Sequence, residues 1–303
     1  MIAQYENLLC CFCQSTRLKL TFKNEFHKFK KDHGPINFYR CLDCQSGFTY
    51  PLPDKSALSS LYASFAGGMI PETRDIRNNN PLHKWYNQCV DRATDNSKCK
   101  LSKDEIFNWI DIGAGGGEVA KIMAERYPNS KGVAIDYHSK PDLLSGLKNV
   151  AWVQCDLNEK EFYRQFPRNH FQVALCITVL EHVLFPYEFI GNILKLLASD
   201  GSLYLTVPDI GSVAAKSMHR FWPYYIFGEH LHIPSKTGMR VLLKRHQAEN
   251  ALSKKKMLIV APVVLPYPIT YYLDHFRMKY LSRLFSAENT IPVNTGIMEA
   301  IIQ

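Results

Sequence analysis

The chain predicts an α/β domain built on a mostly parallel sheet, preceded by a small cysteine-bearing ribbon. Three observations carry that expectation. From about residue 105 onward, short apolar runs alternate with helix-patterned segments. Between the first of those runs and the first helix lies Asp111-Ile112-Gly113-Ala114-Gly115-Gly116-Gly117, a tight glycine turn. Ahead of it stand two cysteine hooks, Cys10-Cys11-Phe12-Cys13 and Cys41-Leu42-Asp43-Cys44. A length of 303 residues suits one large domain plus an appendage.

Taken in order, residues 1–53 read as the appendage. Leu18 to Phe22 is strand-like, and Pro51 and Pro53 end the ribbon. Residues 54–104 read as a helical linker or cap. Asp54 is a suitable N-cap for a helix over about 54–65, Gly67-Gly68 breaks it, and a second polar helix covers 81–97. The remainder, 105–303, is the α/β domain. Its strands are Phe107 to Ile112, Gly132 to Ile135, Ala151 to Val153, Phe171 to Ile177 and Ser202 to Val207. Its helices are Glu118 to Arg126, with Val119, Ile122 and Met123 on one face, and Tyr187 to Leu197, closed by Ser199-Asp200-Gly201. Residues 235–250 are expected as helix, Met257 to Val264 as strand, 267–285 as helix and Met298 to Ile302 as the last strand.

Composition narrows the classes. Apolar residues make up 46% and charged residues 21%, which excludes wholesale disorder and collagen-like repeats. The longest apolar stretch, near Met257 to Ile269, is broken by Pro262, Pro266 and Pro268 and is too short to span a bilayer. The N-terminus shows no cationic n-region followed by an apolar h-region, so a cytoplasmic location is expected. Net charge is +8, with basic outer thirds around an acidic middle. That pattern argues against a nucleic-acid-coating protein. Nine cysteines without a secretory leader read as metal ligands rather than a disulfide framework.

The glycine turn is the strongest local signal. Glycines permit positive φ and close approach of a ligand to the backbone, and the following helix offers free N–H groups to a negative group. Asp136 follows the next strand and can accept both hydroxyls of an adenosine ribose. Asp156, with Leu157, follows the strand after that, in position for an adenine amino group. A dinucleotide fingerprint would need glycine at 118, where the chain has Glu118.

Asp111-x-Gly113-x-Gly115-x-Gly117, with Asp136, Asp156 and Leu180-Glu181-His182-Val183, resembles a class I S-adenosylmethionine (SAM) dependent methyltransferase over about 105–303. The resemblance implies a Rossmann-like seven-stranded sheet with the last strand antiparallel. It also implies that the glycine turn holds the methionine end of SAM, Asp136 the ribose, and Asp156-Leu157 the adenine. The two Cys-x-x-Cys hooks, followed by Gly47-Phe48 and Pro51-Leu52-Pro53, resemble the N-terminal zinc ribbon on a subset of these enzymes. Cys10, Cys13, Cys41 and Cys44 are the expected ligands of a structural Zn²⁺, with Cys11 in register to replace Cys10. Gln14 and Gln45 stand where such hooks usually carry glycine.

Methyl transfer needs alignment and removal of the acceptor's proton. Glu181 and His182 follow the Phe171–Ile177 strand and should line the cleft. A second constellation joins Phe221-Trp222-Pro223-Tyr224-Tyr225 to Gly228-Glu229-His230. His182, Glu229 and His230 are the candidate catalytic residues, and the aromatics are candidates to cradle a sugar ring. The motifs are similar to those of nucleotide-sugar methyltransferases, which implies O- or C-methylation of a sugar or surface-glycan precursor. An RNA methyltransferase gripping RNA through the ribbon is one alternative, and a non-catalytic methyltransferase-fold binding protein is another. The Asn/Asp-Pro-Pro-Tyr/Phe signature of base-amino methylation is absent; Cys176-Ile177-Thr178-Val179 stands there. Ile269, Leu273, Phe276, Tyr280 and Leu284 would form one stripe of the 267–285 helix, for packing, for a second copy or for peripheral membrane contact.

Overall fold

The computed structural model describes residues 8–25, 34–64, 81–95, 101–249, 257–260, 264–270, 273, 278–286, 289–294 and 296–303. The expected Gly67-Gly68 break and Phe276 of the expected stripe lie outside these residues.

The chain begins with three antiparallel strands, β1 (Leu18–Glu25), β2 (Ile36–Cys41) and β3 (Gly47–Tyr50). Each cysteine hook closes on itself. The Gln14 N–H donates to the Cys10 carbonyl, and the Gln45 N–H to that of Cys41. Both glutamines take the left-handed conformation, with φ of 62° and 63°. The absent glycines therefore do not change the turn. Gln45 offsets part of the strain by donating from Nε2 to the Leu42 carbonyl at 2.7 Å.

Two helices follow. Asp54 caps α1 (Lys55–Ser64), accepting the Ala57 N–H at 2.8 Å. Helix α2 (Pro81–Asp95) buries Trp85, Cys89 and Val90 in the cluster that also holds Val119 and Met123.

The α/β part then runs β4 (Asn108–Ile112), α3 (Glu118–Arg126), β5 (Lys131–Asp136), β6 (Val150–Gln154), β7 (Phe171–Ile177), α4 (Pro186–Leu196), β8 (Leu197–Pro208), α5 (Val213–Met218), β9 (His232–Ile233), α6 (Lys236–Glu249), β10 (Met257–Val260), β11 (Val264–Pro268), α7 (Lys279–Ser282), β12 (Thr290–Asn294) and β13 (Ile297–Ile302). The main sheet has the order β10-β13-β8-β7-β4-β5-β6. From β8 to β6 all neighbours are parallel, and β13 runs antiparallel to β8. Edge strand β10 pairs antiparallel with β13. Strand β7 is buried at six of seven positions, as expected of a parallel strand covered on both faces. Trp109 of β4 lies flat across β5, and only a glycine at 132 permits it: a Cβ there would sit 2.0 Å from the indole. The indole N–H donates to Ser130 Oγ at 2.8 Å.

Chain order reverses between β4, which leads on to β5, and its other neighbour β7. A cleft therefore opens at the carboxyl ends of these strands. The ribbon is built into the same molecule. Its sheet has the order β1-β2-β3-β9, so its fourth strand comes from the far side of the α/β part. Cys10, Phe12 and Phe48 share one core cluster with Phe189, Met239 and Leu242.

Of the expected helix over 267–285, residues 267–268 instead end strand β11 (Val264–Pro268), which pairs with β12. Pro266 and Pro268 explain that start, since proline removes the N–H and clashes in a helix interior. Residues 269, 270 and 273 are helical, α7 spans Lys279–Ser282, and 271–272 and 274–277 lie outside the described residues. Of the expected stripe, Ile269 and Leu273 are half-buried, while Tyr280 is 86% and Leu284 75% exposed. Likewise the expected 257–264 strand is divided between β10 and β11, which belong to different sheets. Among the described residues no helix is long and apolar enough to cross a membrane.

Candidate active site

The glycine turn leaves β4 with Gly113, Gly115 and Gly117 at φ of 74°, 52° and 86°. Gly113 is pressed against Val179, whose Cγ2 would lie 2.5 Å from an added Cβ. A Cβ at Gly115, in contrast, would meet nothing within 4 Å. The turn is thus packed on its inner side and open where a ligand would lie, and helix α3 starts directly behind it.

Asp111 is buried beneath the turn, and its Oδ2 has no hydrogen-bond partner among the described residues. Burial, with Asp136 and Glu118 adding like charge, pushes its carboxyl up to about 8. An orphaned buried carboxylate oxygen at an open glycine turn fits a ligand bearing a cation, as the ammonium end of SAM does.

Asp136 is fixed at the tip of β5. Its Oδ2 accepts the Gly115 N–H at 2.9 Å, and its Oδ1 accepts the His138 N–H at 3.0 Å and faces the His138 ring at 2.9 Å. The other ring nitrogen of His138 lies 2.9 Å from the Tyr62 carbonyl in α1. Asp156, at the tip of β6, accepts the Asn158 N–H at 2.9 Å, and Leu157 is half-buried beside it. Helix α1 roofs this region. Tyr62 lies 5.5 Å from the Tyr137 ring and donates its hydroxyl to the His182 carbonyl at 3.2 Å, and Lys55 pairs with Glu159.

The two segments expected to carry the catalytic residues meet. His182 Nδ1 donates to the Glu229 carbonyl at 3.2 Å, and the His182 and His230 rings stand 4.7 Å apart, edge to face. The segment that carries Glu229 is held by Glu181, whose carbonyl accepts N–H groups from Leu231 and His232. Glu181, His182, Glu229 and His230 are all buried. Burial lowers the His182 imidazole to about 4 and raises Glu181 to about 8. Because Val179 packs on Gly113 three residues before His182, the cluster sits beside the glycine turn. A cavity of about 260 Å³ lies between the ribbon and α1, lined among others by Thr49, Pro51, Asp54, Leu58 and Gly228; none of Glu181, His182, Glu229 and His230 lines it.

The aromatics expected to cradle a ring are engaged elsewhere. Trp222 is 1% exposed, and Tyr225 and Phe227 pack on Phe38 and Phe22 of the ribbon at 5.1–5.8 Å. They dock the ribbon, and Tyr224 stacks on His230. Phe221 points away, 66% exposed.

The Sγ atoms of Cys10, Cys13, Cys41 and Cys44 all lie within 4.8 Å of one another, with Cys10–Cys44 and Cys13–Cys41 at 3.5 Å. Zinc–sulfur bonds of about 2.3 Å at tetrahedral angles put sulfurs about 3.8 Å apart, so the set fits Zn²⁺. Cys11 is outside it; its Sγ faces His232 Nδ1 at 3.4 Å. Tyr62, His138 and Asn158 were not legible as site residues. His138 had a signal, two residues beyond Asp136, whereas Tyr62 had none.

A family model described as a methyltransferase domain matches residues 74–252. No curated protein matches the chain. Among solved structures, the plantazolicin methyltransferase BpumL in complex with SAH aligns at TM-score 0.49 and 13% identity, over 84% of this chain and 91% of that one. The YcgJ protein of Bacillus subtilis aligns at 0.47 and 14%, over 71% and 96%. A SAM dependent methyltransferase from Archaeoglobus fulgidus aligns at 0.46 and 12%, over 73% and 92%. All three TM-scores lie below 0.5.

Proposed function

The chain belongs to the methyltransferase-domain family and is a SAM-dependent methyltransferase, and we propose that its acceptor is a small molecule, a sugar or surface-glycan precursor. The observation that carries the acceptor half is the convergence of His182, Glu229 and His230 beside the glycine turn. SAM supplies an activated sulfonium methyl. The bond from methyl to sulfur breaks as the bond to the acceptor forms, the electron pair stays on sulfur, and the acceptor's proton must leave. The buried cluster is where that proton goes. His182 stays neutral above about pH 4, so its imidazole keeps a lone pair at neutral pH.

On this reading Asp136 holds the ribose, Asp156 and Leu157 the adenine, and the Gly113–Gly117 turn the methionine end, with its ammonium toward Asp111. His138 and Gly115 keep the Asp136 carboxylate aimed. Cys10, Cys13, Cys41 and Cys44 hold a structural Zn²⁺: four thiolates leave no position for substrate. Cys89, Cys155 and Cys176 are free thiols, which fits a cytoplasmic protein.

Methyl transfer from labelled SAM to a panel of nucleotide sugars, glycans and RNA tests the reading. Label on a sugar supports it. Label on RNA, or on none of the panel, sinks the sugar assignment.

A further inference from the structure

Glu181, His182 and His230 form a second group whose chemistry is more specific than that of a base. Two imidazoles and a carboxylate place one ligand atom each within 4.8 Å of one another, and all three residues are buried. A closed set with bonds of about 2.0–2.1 Å would bring these atoms to about 3.0–3.4 Å, within reach of small side-chain rotations.

Both rings are prepared in the same way. His182 Nδ1 donates to the Glu229 carbonyl at 3.2 Å, and His230 Nδ1 to the Tyr224 carbonyl at 2.8 Å. A carbonyl at Nδ1 fixes the tautomer and puts the lone pair on Nε2 in each ring, which is how ligand histidines are oriented. The rings cross at 77° with centroids 4.7 Å apart, so two lone pairs can converge on one point without the rings stacking.

An independent observation comes from Glu181. It is 1% exposed, and its Oε2 has no hydrogen-bond partner among the described residues. A buried carboxylate oxygen in that state is costly, and a base assignment for the histidines leaves it unexplained. Its backbone is pinned, since the Glu181 carbonyl accepts from Leu231 N at 2.7 Å and His232 N at 3.1 Å. The main chain that carries the carboxyl group is therefore held in place, while its Oε2 has no partner among the described residues.

We propose that Glu181, His182 and His230 are a second metal site, separate from the four cysteines, taking a divalent cation of borderline hardness such as Zn²⁺ or Fe²⁺. Two imidazoles with one carboxylate is a donor set these ions share, and three protein donors leave a position open for an acceptor oxygen. There the cation lowers the pKa of the acceptor hydroxyl, and the proton passes to Glu229. This role rests on the reading of the cleft as the acceptor site; the metal site itself does not.

The test is metal stoichiometry on the full chain, loaded with excess Zn²⁺ and desalted. His230→Gln and Glu181→Gln should each hold one zinc fewer per chain than wild type, with SAM binding retained. The Cys41→Ser chain should lose its zinc from the cysteines and keep the other. Zinc-edge absorption of the wild-type chain guards against variants that fail to fold. A shell of nitrogen and oxygen at about 2.0–2.1 Å beside the sulfur shell supports the site. A pure sulfur shell, or equal zinc counts in wild type and both variants, overturns it. The sugar reading fails separately, if the zinc count is as expected and no sugar accepts label.

Discussion

His182 donates its Nδ1 proton to the backbone carbonyl of Glu229 across 3.2 Å, joining the turn after β7 to the segment that leads into β9. Two stretches far apart in sequence thereby become one reactive surface. His182→Ala, Glu229→Gln and His230→Ala should each depress turnover by about 10²–10⁴ at saturating SAM while SAM affinity stays near wild type. Steady-state rates with a labelled acceptor, beside calorimetric SAM affinities, read both. Near-normal turnover in all three would remove the cluster from the chemistry.

Asp136→Ala should weaken SAM binding by roughly 1–3 kcal/mol, because the ribose hydroxyls and the Gly115 N–H lose one acceptor together. Calorimetry reads this directly. An unchanged affinity would move the ribose contact elsewhere.

Asp111 links SAM binding to pH. Its carboxyl is pushed up to about 8, so near pH 6.5 it carries a proton in the free chain. An arriving ammonium favours the ionised form and expels that proton. Titration near pH 6.5 in two buffers of different ionisation enthalpy should show close to one proton released per SAM. Affinity should rise with pH toward about 8. Asp111→Asn should release none, and a wild-type chain that also releases none would show that the ammonium binds away from Asp111.

One zinc per chain should be held by the four cysteines, and Cys41→Ser should lose it. Metal binding and ribbon folding are coupled, so β1 to β3 should lose hydrogen-exchange protection first. The Thr49 N–H, bonded to the Leu231 carbonyl, should follow, since β9 belongs to the ribbon's sheet. Protection that changes nowhere in the ribbon would separate the cysteines from its folding.

The core strands were legible because β4 and β7 are long, apolar and buried on both faces, and the cleft was legible because each of β4, β5 and β6 carries or precedes an acidic residue near its carboxyl end. Most element ends shifted by a residue or two, as cap geometry decides them, but β8 begins at Leu197, five residues before the expected Ser202, and takes in Ser199-Asp200-Gly201, expected to close the helix. What escaped was set by distant partners. Strand β9 has two residues and exists only because Gly47 and Phe48 pair with it. Tyr225 looked like part of a ligand cradle because sequence does not show that Phe22 and Phe38 already occupy it. At 267–268, where apolar spacing suggested the start of a helix, the β11–β12 pairing and two prolines prevailed.

Thr49 bonds Leu231 across 182 residues of chain, and Ser235 donates to Ser46 Oγ across 189. A ribosome adding about 5–20 residues per second needs about 10–40 s to cover such a distance. The cysteine hooks are made first, yet the strand that completes their sheet is made among the later elements. During synthesis the ribbon therefore spends that interval with β3 as an open edge, a state in which any metal it has captured is its main brace. Shortening the delay, by circularly permuting the chain so that residues 232–233 are translated close to the hooks, would shield that edge almost as soon as it leaves the exit tunnel.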